Sequence, residues 1–525
     1  MKKLFFLASA LLCGVISASA VDYLVQTGKE GDGKWTEDAI KALNVTTEKV
    51  IDLSKGGTLP TTGEIWFAAG EYEFTAQYGI TAQAKLYGGF AGTETSVEAR
   101  ALVSGGKAYE FEHPTIFSVT QPTGENSTPV KMFPDGLAGV ILDGLTIQGS
   151  KAKTDGGAIK VGNKSAVRNC TFLNNSTTSK GGAIIAYNVN DTIENCYFEG
   201  NSSAAGGAVY VASGSGLWGK YSMIVAHNVF VSNSSTATGG ALQIQGSCVI
   251  TVDANIFYNN TSKGHSGAIY DNGGNISIIT NNVVFNNSYL GSNQTCCYVK
   301  PKYFANNTIC NNQGNVYFAT NTDSALVANN VIWGNLQGTS TTGVSFANPA
   351  TNAKGLTALN NFTSNAVPTG KDKNLVLSLT EGIVNTNYTF KEVDEATEDA
   401  GFVNPTSFVG AIAADASNAN DLLTQLETAS WALKEGSMLI NAGTVLDFVT
   451  TDILGKAREA GKYDVGAYEY VGGGVGSAFE NTEKAPLDIQ AALQAGEVYN
   501  LLGQRVGELQ AGNIYIVGGQ KILMK

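Results

Sequence analysis

A two-part phrase recurring between about Gly156 and Asn287 constrains this chain more than any other feature. One half is Gly-Gly-Ala plus an aliphatic residue: Gly156-Gly157-Ala158-Ile159, Gly181-Gly182-Ala183-Ile184, Gly206-Gly207-Ala208-Val209 and Gly239-Gly240-Ala241-Leu242, with Ser266-Gly267-Ala268-Ile269 as a degenerate fifth copy. The other half is an apolar residue followed three later by Asn: Phe172/Asn175, Phe198/Asn201, Phe230/Asn233 and Phe257/Asn260. The same register continues through Val284/Asn287, Ile309/Asn312, Ile332/Asn335 and Phe362/Asn365. Steps between the apolar positions are 26, 32, 27, 27, 25, 23 and 30 residues. Such a repeat decides architecture before propensity does.

A period in the twenties fits one coil of a right-handed parallel β-helix, whose coils stack at the inter-strand spacing of about 4.8 Å. The Gly pair permits backbone angles other residues avoid, and the Ala after it suits a crowded inward position. Each Phe or Ile is expected to point into the core, above its equivalent one coil below. The Asn three residues later tolerates left-handed conformations at a turn. Asn175, Asn201, Asn233, Asn260, Asn287, Asn312, Asn335 and Asn365 in one register predict a ladder of side-chain amides. Leucine-rich repeats share the period, but this chain has neither the Leu periodicity nor a helical half-repeat. The fold class is therefore all-β.

A solenoid grows linearly, so 525 residues need not mean several cores. Only 15% of residues are charged, and Gly numbers 62, a balance that suits a turn-dense β-solenoid. The net charge is −12, with no basic patch, which argues against nucleic acid and anionic membrane as partners. Residues 1–20 read as a secretory signal: Lys2 and Lys3, an apolar run from Leu4 to Ile16, then Ala18-Ser19-Ala20. Cleavage after Ala20 is preferred to lipidation at Cys13, because Leu11 and Leu12 stand where a lipobox needs small residues. No later run approaches the ~18 apolar residues of a membrane span. The expected location is extracellular or at the cell surface and outer membrane.

In residues 21–139 a helix is predicted over Thr36 to Leu43, with Thr36 as N-cap. The strings Glu64 to Tyr72 (EIWFAAGEY) and Leu86 to Thr95 (LYGGFAGTET), followed by Arg100, resemble the opening coils of a large family of exported bacterial β-helix proteins. That resemblance implies a helix capping the N-terminal end of the solenoid. Val140 to Gly149 (VILDGLTIQG) looks like the family's entry into regular coils, which run from 140 to 365. The repeats also resemble the GGA[ILV]/FxxN motifs of polymorphic membrane proteins, a group of bacterial surface adhesins. The long step from Phe198 to Phe230 predicts an insertion around Ser213 to Tyr221, which makes Trp218 and Tyr221 candidate ligand contacts.

Residues 366–470 are expected to form irregular late coils and a closing module. Trp431 to Gly443, then Asp452, Gly455, Arg458, Asp464, Gly466, Ala467, Tyr468 and Glu469, resemble the choice-of-anchor Q module that ends β-helices carrying surface anchors. Asp452, Asp464 or Glu469 is expected to pair with Arg458 over the exposed end of the solenoid. Residues 471–480 contain a Gly-rich linker. Residues 481–525 carry alternating strands and resemble a short C-terminal sorting module of type IX secretion cargo.

Parallel β-helices also host polysaccharide lyases and hydrolases, so the residues themselves must carry any claim of chemistry. A lyase needs an Arg or Lys base beside a carboxylate cluster, and an inverting hydrolase needs two carboxyls roughly 6.5–9.5 Å apart. The repeats offer Asp143, Asp155, Asp191, Glu194, Glu199, Asp253, Asp271 and Asp323, with no Asp-Asp pair. Asp253, His265 and Asp271 are the nearest approach to a constellation. Cys170 and Cys196 share one register position, as a disulfide or as two buried thiols. Asp191-Thr192-Ile193 and Asp323-Ser324-Ala325 match a short O-glycosylation pattern. No catalytic residue, cofactor site or metal site is assigned. The expectation is a monomeric, non-catalytic β-helix that binds a polysaccharide or a host or surface protein. A lyase or glycoside hydrolase of the pectate-lyase-like type is the alternative.

Overall fold

The computed structural model describes residues 21–470 apart from 124–126, 188–189, 214–221, 247, 275, 292–294, 320–324, 338–339, 342–343, 347–356, 365–389, 394–398 and 413–416, and beyond 470 only the strands at 498–500, 514–517 and 520–523. Contacts divide the chain into Met1–Phe479 and Glu480–Lys525. The first unit is a right-handed parallel β-helix. Its strands stack into parallel sheets of thirteen, twelve, nine and six strands. One coil runs through Ala166–Arg168, Thr171–Leu173, Ser176–Thr177 and Ile184–Tyr187, placing one strand in each sheet.

The repeat phrase maps directly onto this coil. Phe172, Phe198, Phe230 and Phe257 pair in one column of the twelve-stranded sheet. Their rings are fully buried and stack at 5.1, 4.9 and 4.7 Å between centroids, nearly coplanar. The two glycines have different tasks. Gly156, Gly181, Gly206 and Gly239 occupy the left-handed region, with φ between +63° and +72°. The second glycine lies where coils nearly touch: a Cβ on Gly157 or Gly207 would stand 1.8 Å from the carbonyl oxygen of the equivalent glycine one coil on. Ala158, Ala183, Ala208, Ala241 and Ala268 follow, all fully buried.

The asparagines form two ladders. In the first, each side-chain amide from Asn175 to Asn312 donates to the Oδ1 of its counterpart one coil on, ending at Asn335, over distances of 2.9–3.1 Å. Each Oδ1 also accepts the preceding ladder residue's backbone N–H, and each Nδ2 reaches back to a core-strand carbonyl. Asn365 lies outside the described residues. The final register differs from the sequence expectation: Phe362 pairs with Val331, so Thr363 takes the column of Ile332. The left-handed conformation also falls elsewhere. It belongs to the residue before each ladder Asn, as at Asn174, Asn259, Asn286 and Asn311, each with φ near +50°.

The second ladder, Asn228-Asn255-Asn282-Asn307-Asn330-Asn361, runs parallel to the first at the junction of the thirteen- and twelve-stranded sheets. Its column begins with cysteine: the backbone N–H of Cys196 donates to Asn228 Oδ1 at 2.9 Å. Cys170 and Cys196 are buried free thiols, as are Cys248, Cys296, Cys297 and Cys310. Burial pushes the Cys196 thiol well up.

The two flanking elements lie beside the solenoid. The helix Glu37–Ala42 is N-capped by Thr36, whose hydroxyl accepts from Ala39 N–H at 3.2 Å. It packs with Trp35 against Leu24, Trp66 and Phe90, on the opposite face of the thirteen-stranded sheet from the core residues Val25, Ile65 and Phe67. Strand Val50–Asp52 occupies the sheet's N-terminal edge. The helix therefore covers a flank instead of the end.

At the other end, residues beyond about 399 depart from coils. They form an antiparallel pair, Phe402–Asn404 with Ser430–Leu433, and a helix, Ala419–Glu427. This closing segment lies along the outer face of the twelve-stranded sheet. Phe402, Leu426, Trp431 and Leu439 bury against Val229, Val231, Tyr258, Phe285, Val331 and Phe362. Left-handed asparagines on both rims of that sheet clip its backbone. On one rim Asn259 Oδ1 accepts from Ile412 N–H, Asn286 pairs with Val409 and Gly410, and Asn311 donates to Thr406 O. On the other rim Asn281 donates to Thr451 O, Asn306 to Asp464 O, and Asn329 pairs with Thr444.

Arg458 anchors this second rim. Its guanidinium is fully buried and pairs with Glu469 at 2.8 Å, while also donating to Asn281 Oδ1 at 2.8 Å and Gly466 O at 3.0 Å. The pairing of Arg458 thus holds the segment to the flank, not over the end. Asp452 and Asp464 accept backbone N–H groups within the segment. In the second unit, strands Val498–Asn500, Ile514–Val517 and Gln520–Leu523 make an antiparallel sheet.

Candidate functional site

Most solenoid carboxylates serve local structure. Asp253, in the thirteen-stranded sheet, accepts from Thr280 Oγ1 at 2.6 Å and Asn281 Nδ2 at 3.0 Å. Asp271, in the nine-stranded sheet, is fully buried and accepts from Gly273 N–H, Ser277 Oγ and Lys300 N–H. Burial raises its pKa while those donors oppose the rise. His265 packs its ring against Tyr270 and Tyr298, and burial pulls the imidazole below its ordinary value. Asp253 and Asp271 therefore belong to different sheets and have separate partners, and the three residues form no common constellation. Asp155 accepts from Ser179 Oγ at 2.5 Å.

Asp191 differs from these. It is almost wholly buried, and one oxygen accepts from Ser165 N–H at 2.9 Å while the other has no hydrogen-bond partner among the described residues. Burial pushes its carboxyl up to about 7. Thr192 beside it sits within a strand of the thirteen-stranded sheet, half-buried. Trp218, Tyr221, Asp323 and Ser324 lie outside the described residues.

A charged band crosses the outer face of the thirteen-stranded sheet. The pairings Tyr87↔Asp143, Asp143↔Arg168 and Arg168↔Glu194 put these four residues in one column on successive strands. Arg100 holds Asp143 at 2.9 Å, both nearly buried, and Asn169 donates to the same oxygen. Arg168 pairs with Glu194 at 2.8 Å, both half-exposed. Arg168 did not stand out in the sequence, because its carboxylate partner lies a full coil away. Among the described residues no group of three His, Cys, Asp or Glu side chains is placed to hold a metal ion.

The nine-stranded sheet carries the most distinctive exposed surface. Strand alternation places Ile269 and Cys297 in the core and turns Tyr270 and Tyr298 outward. The register continues from Tyr298 to Tyr317, giving three tyrosines on three successive coils. Their rings stack at 4.8 and 5.1 Å, with interplanar angles of 24° and 20°. The ring faces are thus turned toward one another along the solenoid axis, and the ring edges and hydroxyls point outward. All three are partly buried, and no described residue bonds to their hydroxyls. Earlier in the same column Tyr210 is buried, with Lys180 over its ring at 5.2 Å. In the sequence the column is hard to see: the residues after the aliphatic of the five phrases are Lys160, Ile185, Tyr210, Gln243 and Tyr270, and Tyr298 and Tyr317 follow no such phrase.

Against known proteins, a family model described as a right handed beta helix region matches residues 123–264. Among curated proteins none matches the sequence. A solved structure titled as a PL6 family alginate lyase, AlyGC, is similar at 15% identity with a TM-score of 0.31. The match covers 71% of this chain and 54% of that one, so the chain spans about half the length of the lyase it resembles. The family match places residues 123–264 with right-handed β-helix regions.

Proposed function

We propose that this is an exported β-helix protein that holds a polysaccharide on its solenoid flank without turning it over. The Tyr270-Tyr298-Tyr317 row carries the reading: three phenol hydroxyls at sheet spacing, bonded to no described residue, on a sheet other than the one the described closing segment covers. Export rests on Lys2, Lys3, the apolar run to Ile16 and Ala18-Ser19-Ala20. Surface attachment, in the manner of an adhesin, rests on the linker and the small C-terminal sheet. The test is retention of the purified chain on a glycan panel. Binding lost with Tyr298→Ala supports the reading, and no retention on any glycan overturns it.

The charged band favours a second reading. Arg168 stands between Asp143 and Glu194 on adjacent strands, the combination of base and carboxylates that a polysaccharide lyase requires. This reading predicts unsaturated sugar ends, detected by their ultraviolet absorbance, that vanish with Arg168→Gln. Intact polysaccharide after prolonged incubation would leave the band as a structural ion network.

A further inference from the structure

Stacking against a sugar ring needs an open aromatic face, and this ladder offers none between its members. Tyr298 has Tyr270 on one side and Tyr317 on the other, and His265 packs against Tyr270. What the row presents is a line of hydroxyls, which act mainly as hydrogen-bond donors to strong acceptors. Burial raises the phenols of Tyr270, Tyr298 and Tyr317 above their ordinary values, so they remain protonated donors at neutral pH.

The charges beside the row point the same way. Lys263 is exposed in the turn preceding His265, and Lys300 follows the Tyr298 strand with its ammonium on Asn272 Oδ1 at 2.5 Å. The one carboxylate in the Tyr270 strand, Asp271, faces inward and is fully buried. Among the described residues of these strands no carboxylate faces outward. This local balance stands out in a chain of net charge −12.

Resting on the glycan-binding reading above, we infer that the ligand is an anionic polysaccharide lying along the solenoid axis. Its carboxylate or sulfate groups accept from the Tyr270, Tyr298 and Tyr317 hydroxyls and are flanked by Lys263 and Lys300. Hydrogen bonds to charged groups are stronger than those to neutral ones, and the two lysines add a salt-sensitive attraction.

The experiment uses the full chain and two matched probes: polygalacturonate and its methyl-esterified form, which keeps the backbone but removes the charge. Chondroitin sulfate supplies a second polyanion, and a neutral glycan panel serves as comparison. Affinity electrophoresis reads the dissociation constant. The expected result is retention by at least one polyanion, loss of binding on esterification, and weakening as salt rises. Tyr298→Phe keeps the ring stack and should weaken binding roughly tenfold, the loss of one hydrogen bond to a charged group. Lys263→Gln with Lys300→Gln should flatten the salt dependence. Equal binding of neutral and anionic forms overturns the inference and leaves the glycan reading standing. Retention by no glycan overturns both. Anionic binding that Tyr298→Phe leaves unchanged removes the site from this row.

Discussion

Asn260 offers the sharpest test of how the solenoid is held together. Its Oδ1 accepts from Asn233 N–H and from Asn233 Nδ2, both at 3.0 Å. Its Nδ2 donates to Phe230 O, Tyr258 O and Asn287 Oδ1 at 2.9–3.0 Å. Asn260→Ala leaves Asn233 N–H with no acceptor and removes a donor from Phe230 O, both fully buried, while Asn287 Oδ1 keeps the Asn260 backbone N–H. At about 1–3 kcal/mol for each buried group left unsatisfied, the two together should cost about 2–6 kcal/mol. Asn260→Asp separates charge from shape. A carboxylate still accepts from Asn233 but sets an oxygen against two carbonyls and Asn287 Oδ1, so it must be protonated to fit. Its stability should recover as pH falls, whereas that of Asn260→Ala should not. Equilibrium urea unfolding followed by far-ultraviolet circular dichroism, at pH 4 and pH 8, reads both effects. An Asn260→Ala protein within about 0.5 kcal/mol of the parent, the range of an ordinary surface change, would refute the ladder as a stabilising element.

Three further outcomes follow from the same structure. The Asp191 carboxyl, raised from 3.8 to about 7, favours the folded state when protonated, so its contribution is full below pH ~4 and lost as pH rises through about 7. That displacement corresponds to about 4 kcal/mol, so Asp191→Asn should raise the melting temperature at pH 8 and flatten its decline from pH 4 to 8. An unchanged pH profile would contradict this. Gly207→Ala places a methyl 1.8 Å from Gly240 O and must push neighbouring coils apart, costing about 3 kcal/mol or more in the same urea assay. Arg458→Met leaves Glu469 buried without its partner and should loosen the closing segment, by about 3–5 kcal/mol. Limited proteolysis should then cut between residues 399 and 470 while the solenoid resists; uniform resistance would count against the anchoring role.

The local repeat was legible because each coil spells out its own geometry. The stacked Phe column, the inward Ala and the first asparagine ladder all follow from residues a few positions apart. The second ladder escaped because its column opens with Cys170 and Cys196 and becomes Asn only at Asn228. A signal was present in the Asn-Asn pairs, such as Asn281-Asn282 and Asn306-Asn307, where the first residue takes the left-handed turn and the second joins a ladder. Phe362 was misregistered because its neighbour Thr363 is an unusual core residue, yet fully buried. Placement of the closing segment was beyond local reading, since Asn281 and Arg458 meet across 177 residues. The tyrosine row was obscured by the same rule that reveals cores: its outward positions alternate with the apolar ones and vary from coil to coil.

The clips on the two rims have a consequence for how such a chain can change length. Every clip lies between Asn259 and Asn329, so each is fixed to a particular coil. Adding one coil upstream of Tyr197 would lengthen the solenoid by about 4.8 Å and disturb none of them. Adding or deleting a coil between Asn259 and Asn329 would instead carry half the rim asparagines one strand spacing past their backbone partners. The molecule therefore has a gauge section and a free section. Reach can vary in the free section only by parting the Tyr109 and Tyr197 rings, 5.3 Å apart beside the closing segment, while the coils under that segment are fixed in number.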